Sequence, residues 1–178
     1  MRQEFNDSED IYERAVYFLY LNRHGFNGLC RYNKSGKFNF SFGRYKAPYF
    51  PEKELLYFAE KSQLATFTCE SFEKVFARAR QGSVIYCDPP YAPISKTAMF
   101  NSYAAGGFTL ENQEKLASLA RRTGYKRNIP VLVSNHDTEF TRSIYQGADM
   151  TELQVSRFIS QTGSTRIKVA ELLALFQV

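Results

Sequence analysis

The chain's 178 residues suit one domain, with room for a small appended lobe. A hydrophobic content of 44% without low-complexity tracts excludes a disordered chain, and no apolar run approaches the roughly 18–20 residues that cross a bilayer. The net charge of +5 is unevenly placed: no acidic residue lies between Glu13 and Glu52, whereas Arg14, Arg23, Arg31, Lys34, Lys37, Arg44 and Lys46 all do, the electrostatic footprint expected for nucleic acid.

Asp7-Ser8 starts the first helix, with Glu9 and Asp10 in its opening turn opposing the dipole. Ile11, Ala15, Val16, Phe18 and Leu19 supply an apolar face, and Arg23-His24 before Gly25 provides the stop. Residues 25–50 then alternate aromatics with Asn, Gly and basic residues. Lys34-Ser35-Gly36-Lys37 has turn chemistry, and Phe38, Phe40 and Phe42 fall at period two. That pattern predicts a basic β-hairpin with a buried aromatic face, Asn39, Ser41 and Gly43 pointing outward. Such a hairpin either contacts DNA or packs on the domain with its lysines solvated; the lack of acid favours DNA.

After Pro51 an amphipathic helix runs through residue 63, Thr66-Phe67-Thr68-Cys69 reads as a strand, and Ser71 caps a helix through residue 80. Ser83-Val84-Ile85-Tyr86-Cys87 has the composition of a strand covered on both faces. A long loop containing Lys96, Asn101, Tyr103, Gly106 and Gly107 leads to Phe108, and its length suits a segment that covers substrate. Thr109 caps a helix through residue 123. Residues 129–134 form a buried strand ending at Asn135-His136-Asp137, and a short helix spans 138–145. Residues 150–158 and 167–176 read as closing strands, the second ambiguous because Ala170-Glu171-Leu172-Leu173 also suits a helix. Strands alternating with helices place the fold in the α/β class. Composition divides the chain at 50/51, into a lobe of 1–50 and a larger domain of 51–178.

Cys30, Cys69 and Cys87 lie far apart, as do His24 and His136, so no metal-ligand spacing exists and the cysteines read as reduced, mostly buried thiols of a cytoplasm. The most informative stretch is Asp88-Pro89-Pro90-Tyr91. Two consecutive prolines cannot continue a ladder, so the strand stops at Asp88. In an open parallel sheet the carboxyl ends of strands are where ligands bind. The Asp88 side chain and the Pro89 carbonyl are two acceptors suited to the two N–H groups of an exocyclic base amine. Held this way the nitrogen turns pyramidal and frees its lone pair for a methyl group. Pro90 fixes the direction of the Pro89 carbonyl, and Tyr91 can stack on a base that has left the duplex. The plain alternative is a strand-to-turn junction, since these residue types also occur in ordinary turns. His136, at a strand end, either shapes the pocket or simply caps the strand.

Further short matches run in order from residue 14 to the end: Leu21-Asn22-Arg23, Asn27-Gly28-Leu29-Cys30-Arg31-Tyr32-Asn33, Phe42-Gly43-Arg44-Tyr45-Lys46 and Pro48-Tyr49-Phe50-Pro51. They continue with the Asp-Pro-Pro-Tyr corner, Ser134-Asn135-His136-Asp137-Thr138, and Thr165-Arg166 before Glu171-Leu172-Leu173-Ala174-Leu175. In this the chain resembles the bacterial and phage Dam DNA adenine-N6 methyltransferases. The resemblance implies methyl transfer to adenine in GATC within double-stranded DNA, from S-adenosylmethionine, with Asp88 also lining the donor pocket. It implies a Rossmann-like class I methyltransferase sheet with a helix and β-hairpin DNA-recognition lobe, in a cytoplasmic, nucleoid-associated protein; no obligate protein partner is evident from the sequence. By the same resemblance Phe26 wedges into the base stack and Asn27 meets the orphaned thymine. Leu29, Arg31 and Ser41 lie along base edges, although Ser41 stands where the family carries proline. Arg31 is the candidate reader of guanine, since a guanidinium pairs bidentately with O6 and N7. Arg44 and Lys46 are implied as phosphate contacts. Arg166 faces DNA, although Ile167 replaces a basic residue.

The family's Trp-Ala-Gly-Gly-Lys segment and Phe-x-Gly-x-Gly loop do not occur in this sequence. The sheet is therefore expected to be incomplete, lacking its first strands, with unpaired edges. A polypeptide so built is expected neither to bind the donor well nor to methylate DNA. Alternatives to a methyltransferase fragment are a non-catalytic DNA-binding remnant and a restriction-associated adenine methylase with another target. A protein-glutamine methyltransferase is disfavoured, because it typically carries Asn where Asp88 stands.

Overall fold

The computed structural model describes residues 1–94, 108–156 and 168–178. By internal contact the chain divides into two units, Met1–Thr68 and Cys69–Val178. The division falls after Thr68 rather than after Phe50. Tyr49 explains this: its carbonyl accepts from Arg23 at 2.8 Å and its hydroxyl donates to Glu54 at 2.9 Å, which ties the following helix to the first unit.

In the first unit α1 spans Arg2–Asp7 and α2 spans Ile11–His24. The cap of α2 is Asp10, whose carboxylate accepts from the Glu13 amide at 2.9 Å, rather than the expected Ser8. The Ser8 hydroxyl donates to Glu13 instead. The expected apolar face of α2 is largely open, with Ile11 79% and Val16 65% exposed. The buried centre is aromatic and small. Phe5 and Phe38 are 3% exposed and meet edge to face at 5.7 Å, and Asn6 bonds both the amide and the carbonyl of Phe38.

The expected hairpin folds back as predicted but forms only two isolated antiparallel bridges, Gly25 with Phe42 and Tyr32 with Phe38. The reason is the 3₁₀ turn Phe26–Gly28, where Asn27 (φ 54) and Gly28 (φ 64) adopt left-handed backbone and break one arm. Accordingly Phe38 is buried but Phe42 is exposed, and Gly43 is buried rather than outward. Helix α3 spans Glu52–Ser62 with Pro51 at its N-cap. No strand forms at 66–69. That segment is exposed and has no ladder neighbour among the described residues.

In the second unit α4 (Phe72–Arg78) precedes β1 (Ile85–Cys87), α5 (Leu110–Arg127), β2 (Val131–His136), α6 (Glu139–Ile144), β3 (Asp149–Ser156) and β4 (Lys168–Phe176). The sheet order is β1-β2-β4-β3, with β1 and β2 parallel and the other pairs antiparallel. The fold is thus α/β with a four-stranded mixed sheet. Ladder bonds on both sides settle β4 as a strand, and Leu172, Ala174 and Phe176 alternate into the core. Phe76, Leu116, Ala117, Ala120, Val131 and Val133 complete that core beneath α4 and α5.

β1 is shorter than expected and covered on one face only. Ile85 enters the core, while Val84 and Tyr86 are 72% and 61% exposed, because α4 and α5 pack on the face that carries Ile85. Helix α5 runs past residue 123 to an αL cap at Asn128 (φ 53), the short polar residue best able to adopt it. The loop residues Lys96, Asn101, Tyr103, Gly106 and Gly107, together with Phe158, Thr165, Arg166 and Ile167, lie outside the described residues. No helix among the described residues is long and apolar enough to cross a membrane.

Candidate active site

β1 runs parallel to β2 and stops at Cys87, where Pro89 and Pro90 remove the donors a ladder needs. Asp88 is exposed at the strand's carboxyl end, Pro89 is buried, and Pro90 and Tyr91 are half-buried. The Asp88 carboxylate does not hang loose. Ser134, on the adjoining β2, donates its hydroxyl to Asp88 Oδ1 at 3.0 Å and accepts from the Tyr86 hydroxyl at 3.1 Å.

Tyr91 meets the His136 ring edge to face at 4.9 Å, and its hydroxyl donates to Glu171 at 3.3 Å. Burial pushes the Tyr91 phenol up, and the Glu171 and Asp88 carboxylates act in the same direction, so the ring stays neutral. His136 Nδ1 lies 2.7 Å from the Ala92 carbonyl, which can only accept, so Nδ1 carries the hydrogen. The imidazole therefore fastens the segment that follows the corner as well as packing on Tyr91.

Beside the corner is a pocket of about 220 Å³, lined by Phe72 and Phe76 of α4, Ile85 and Cys87 of β1, Phe108 and Leu116, with Asp88 and Pro89 at one side. Phe72 and Phe108 approach to 5.7 Å, giving it an aromatic wall. Its size suits a heteroaromatic ring rather than a whole cofactor, since drug-sized ligands fill about 300–1,000 Å³. Cys87 is not a nucleophile, because burial pushes its thiol up to about 11.

Apart from Arg166, which lies outside the described residues, the remaining sequence candidates lie in the first unit. Phe26 is 51% exposed on the 3₁₀ turn, and its amide donates to the Ser41 carbonyl at 3.0 Å. The Asn27 amide donates to the Tyr45 hydroxyl at 3.0 Å, which holds the strained turn from behind. Leu29 is half-buried, whereas Arg31, Ser41, Arg44 and Lys46 are exposed. Arg31 Nε donates to the Asn39 carbonyl at 3.0 Å and its guanidinium lies 5.5 Å from the Phe40 ring centroid. Sequence reasoning did not assign Ser134, Gln113, Tyr145 or Glu171 to the site. The available signals were polar residues inside apolar patterns: Ser134 and Asn135 ending a buried strand, and Gln113 on the inward face of α5.

A mixed α/β sheet with an acidic Pro-Pro-Tyr corner at the end of a parallel strand fits the methyltransferase class. The family model of D12 class N6 adenine-specific DNA methyltransferases matches residues 1–159, and the chain belongs to that family. It is 58% identical over 176 residues to a DNA adenine methylase of Vibrio cholerae serotype O1, covering 99% of this chain and 64% of that protein. The DNA adenine methylase of Escherichia coli K12 is likewise 58% identical over 176 residues, with coverages of 99% and 63%. That of Serratia marcescens is 54% identical over 177 residues, with 99% and 66%. The chain thus spans less than two thirds of the length of these curated relatives.

Proposed function

We propose that this chain carries the methyl-acceptor corner and the DNA-reading surface of an S-adenosylmethionine-dependent adenine-N6 methyltransferase acting on GATC in double-stranded DNA. The observation that carries the reading is an exposed carboxylate, Asp88, at the carboxyl end of β1, held by Ser134 and followed by a carbonyl between two prolines.

In this reading Asp88 accepts one hydrogen of the adenine amine and the Pro89 carbonyl accepts the other. The nitrogen lone pair is drawn out of conjugation with the ring, the change that makes a weak nucleophile able to react. Tyr91 stacks on the extruded base, its ring fixed by His136 and Glu171. S-adenosylmethionine, when bound, supplies an electrophilic methyl group. Phe72, Phe76, Phe108 and Leu116 would hold an aromatic portion of that donor in the pocket beside Asp88. The sheet then corresponds to part of a class I methyltransferase sheet, with β1 as its strand of chemistry.

In the first unit, Phe26 wedges into the stack, Asn27 meets the unpaired thymine, and Leu29 and Ser41 line base edges. Arg31 reads guanine. Its Nε is already bonded to Asn39, which leaves the end of the fork for O6 and N7. Arg44 and Lys46 contact phosphate, and Arg166 is assigned from sequence to a segment facing DNA.

The test is incorporation of labelled methyl into a GATC duplex by the full-length protein, with Asp88→Ala alongside. Methylation at adenine N6, lowered on the order of 10²-fold or more by the substitution, is the expected result. An unchanged rate in Asp88→Ala overturns the assignment.

A further inference from the structure

The Asp-Pro-Pro-Tyr corner has few means of holding itself. Neither Pro89 nor Pro90 has an amide hydrogen, so beyond Asp88 the next backbone donors are those of Tyr91 and Ala92. What lies behind the corner is a buried side-chain network. Gln113 of α5 and Asn135 of β2 are both 0% exposed. Gln113 Nε2 donates to the Pro90 carbonyl at 2.7 Å, and Asn135 Oδ1 accepts from the Ala92 amide at 2.8 Å. The two amides are joined, Asn135 Nδ2 donating to Gln113 Oε1 at 3.0 Å.

Every remaining capacity of Asn135 is used as well. Nδ2 donates to the Tyr145 hydroxyl at 3.0 Å and Oδ1 accepts from the His136 amide at 2.9 Å. Two donors and two lone pairs are thus all satisfied, and turning the amide over would set its NH₂ against two N–H groups. With His136 on the Ala92 carbonyl, three backbone groups of residues 90–92 are pinned from α5 and β2.

From this geometry we infer that Gln113 and Asn135 are positioning residues for the acceptor corner: they aim the Pro89 carbonyl by immobilising the peptides that follow it. The link is covalent geometry. The Pro90 ring locks its own φ near −65°, so once the Pro90 carbonyl is held by Gln113, the Pro89 carbonyl can turn only through a distortion of the whole corner. Neither side chain touches the base. Their contribution is that the acceptor stands ready before the base arrives, and misplacement of such a group by about 1 Å costs on the order of 10²-fold in rate. This inference rests on the proposed function for its catalytic consequence, but the clamp itself is a separate physical claim.

The experiment compares Gln113→Glu and Gln113→Ala with the parental full-length protein, in single-turnover methylation of a GATC duplex and in hydrogen exchange at the Ala92 amide. A protonated carboxyl reproduces the Gln113 pattern: its O–H donates to the Pro90 carbonyl and its carbonyl accepts from Asn135. An ionised carboxyl cannot donate. Gln113→Glu is therefore expected to lose about 10²-fold in single-turnover rate at high pH and recover as pH falls, with the DNA dissociation constant unchanged. Gln113→Ala is expected to be slow throughout, and a protein merely weakened would show no such pH-dependent rescue. Ala92 exchange is expected to quicken in both variants, for Gln113→Glu at high pH.

A Gln113→Glu enzyme with parental rate at every pH overturns the inference, and so does one whose loss is independent of pH. If the parental protein transfers no methyl to adenine, the functional reading fails separately. The clamp is then judged by exchange alone, and Ala92 protection unchanged in Gln113→Ala overturns it. Should Gln113→Ala not fold, Gln113→Glu compared above and below the pKa of the introduced carboxyl supplies both readouts.

Discussion

Ser134 lies on β2 and Asp88 directly follows the parallel β1, and the serine hydroxyl donates to Asp88 Oδ1 at 3.0 Å while itself accepting from Tyr86. An exposed carboxylate would otherwise rotate about its terminal torsion among many hydrated orientations. The neighbour removes that freedom and leaves Oδ2 as the better-presented acceptor.

Ser134→Ala therefore separates orientation from charge. Methyl transfer is expected to fall about tenfold, equivalent to roughly 1.4 kcal/mol in the barrier, while DNA affinity stays parental. Loss of the hydroxyl's bonds to Asp88 and Tyr86 costs about 1–3 kcal/mol of stability, and the variant is expected to fold. Single-turnover kinetics beside a binding isotherm check both parts.

In the first unit, Arg31 and the cations that follow it are expected to behave differently. Arg31→Lys removes the planar fork and is expected to weaken GATC binding and relax discrimination at guanine by about 1–3 kcal/mol. Arg44→Ala and Lys46→Ala are expected to weaken all duplexes alike and each to reduce the salt slope by about one. Fluorescence anisotropy against GATC and guanine-substituted duplexes over a salt series distinguishes the two behaviours.

Gly124 lies inside α5, where replacement by alanine ordinarily gains up to about 1 kcal/mol. Here the sign reverses. A Cβ at residue 124 would lie 2.5 Å from the Phe176 carbonyl oxygen, and a backbone atom at the end of β4 cannot swing aside. Gly124→Ala is expected to destabilise by about 1–3 kcal/mol, seen as a lower denaturant midpoint, with little change in the DNA binding proposed for the first unit.

Stability is expected to fall at both ends of the pH scale, for opposite reasons. Burial pushes the Cys87 thiol up to about 11 and the Tyr145 phenol up to about 12. Their unfolded values are about 8.5 and 10, so the unfolded chain sheds these protons first. The stabilisation is full below those unfolded values and is lost as pH rises through 11 and 12. Glu73 does the reverse. Its hydrogen bond from Lys115 holds the carboxyl down to about 2, so its contribution is present above the ordinary carboxylate range and disappears as pH falls toward 2. Urea midpoints across pH for the parent, Glu73→Gln and Cys87→Ala check each limb. Thiol labelling at neutral pH is expected to be fast at the exposed Cys30 and Cys69 and slow at Cys87.

Much of the second unit was legible from residues alone. The end of β1 at Asp88, the start of α5 at Thr109 and the cap of α6 at Thr138 rest on local chemistry: two rings that cannot donate, and hydroxyls that accept from Asn112 and Thr141. The same holds for the Asn33-centred turn, whose side-chain oxygen accepts from the Ser35 and Lys37 amides. Such features need no partner distant in sequence, so they can be read wherever they occur.

Other features depended on neighbours that no local pattern names. Residues 66–69 have strand composition but join no ladder among the described residues. Ala170-Glu171-Leu172-Leu173 suits helix or strand equally, and became a strand because β2 and β3 offer ladders on both sides. Ser134, Gln113 and Asn135 gained their significance in the same way, through bonds to Asp88, Pro90 and Ala92 that lie 46, 23 and 43 residues away in sequence. The residue types that can do the chemistry are written along the chain, because ring closure and side-chain donors are properties of single residues. Which of them face one another is set by the closing of the sheet, because a hydrogen bond between remote side chains exists only once packing has brought both ends together and excluded water.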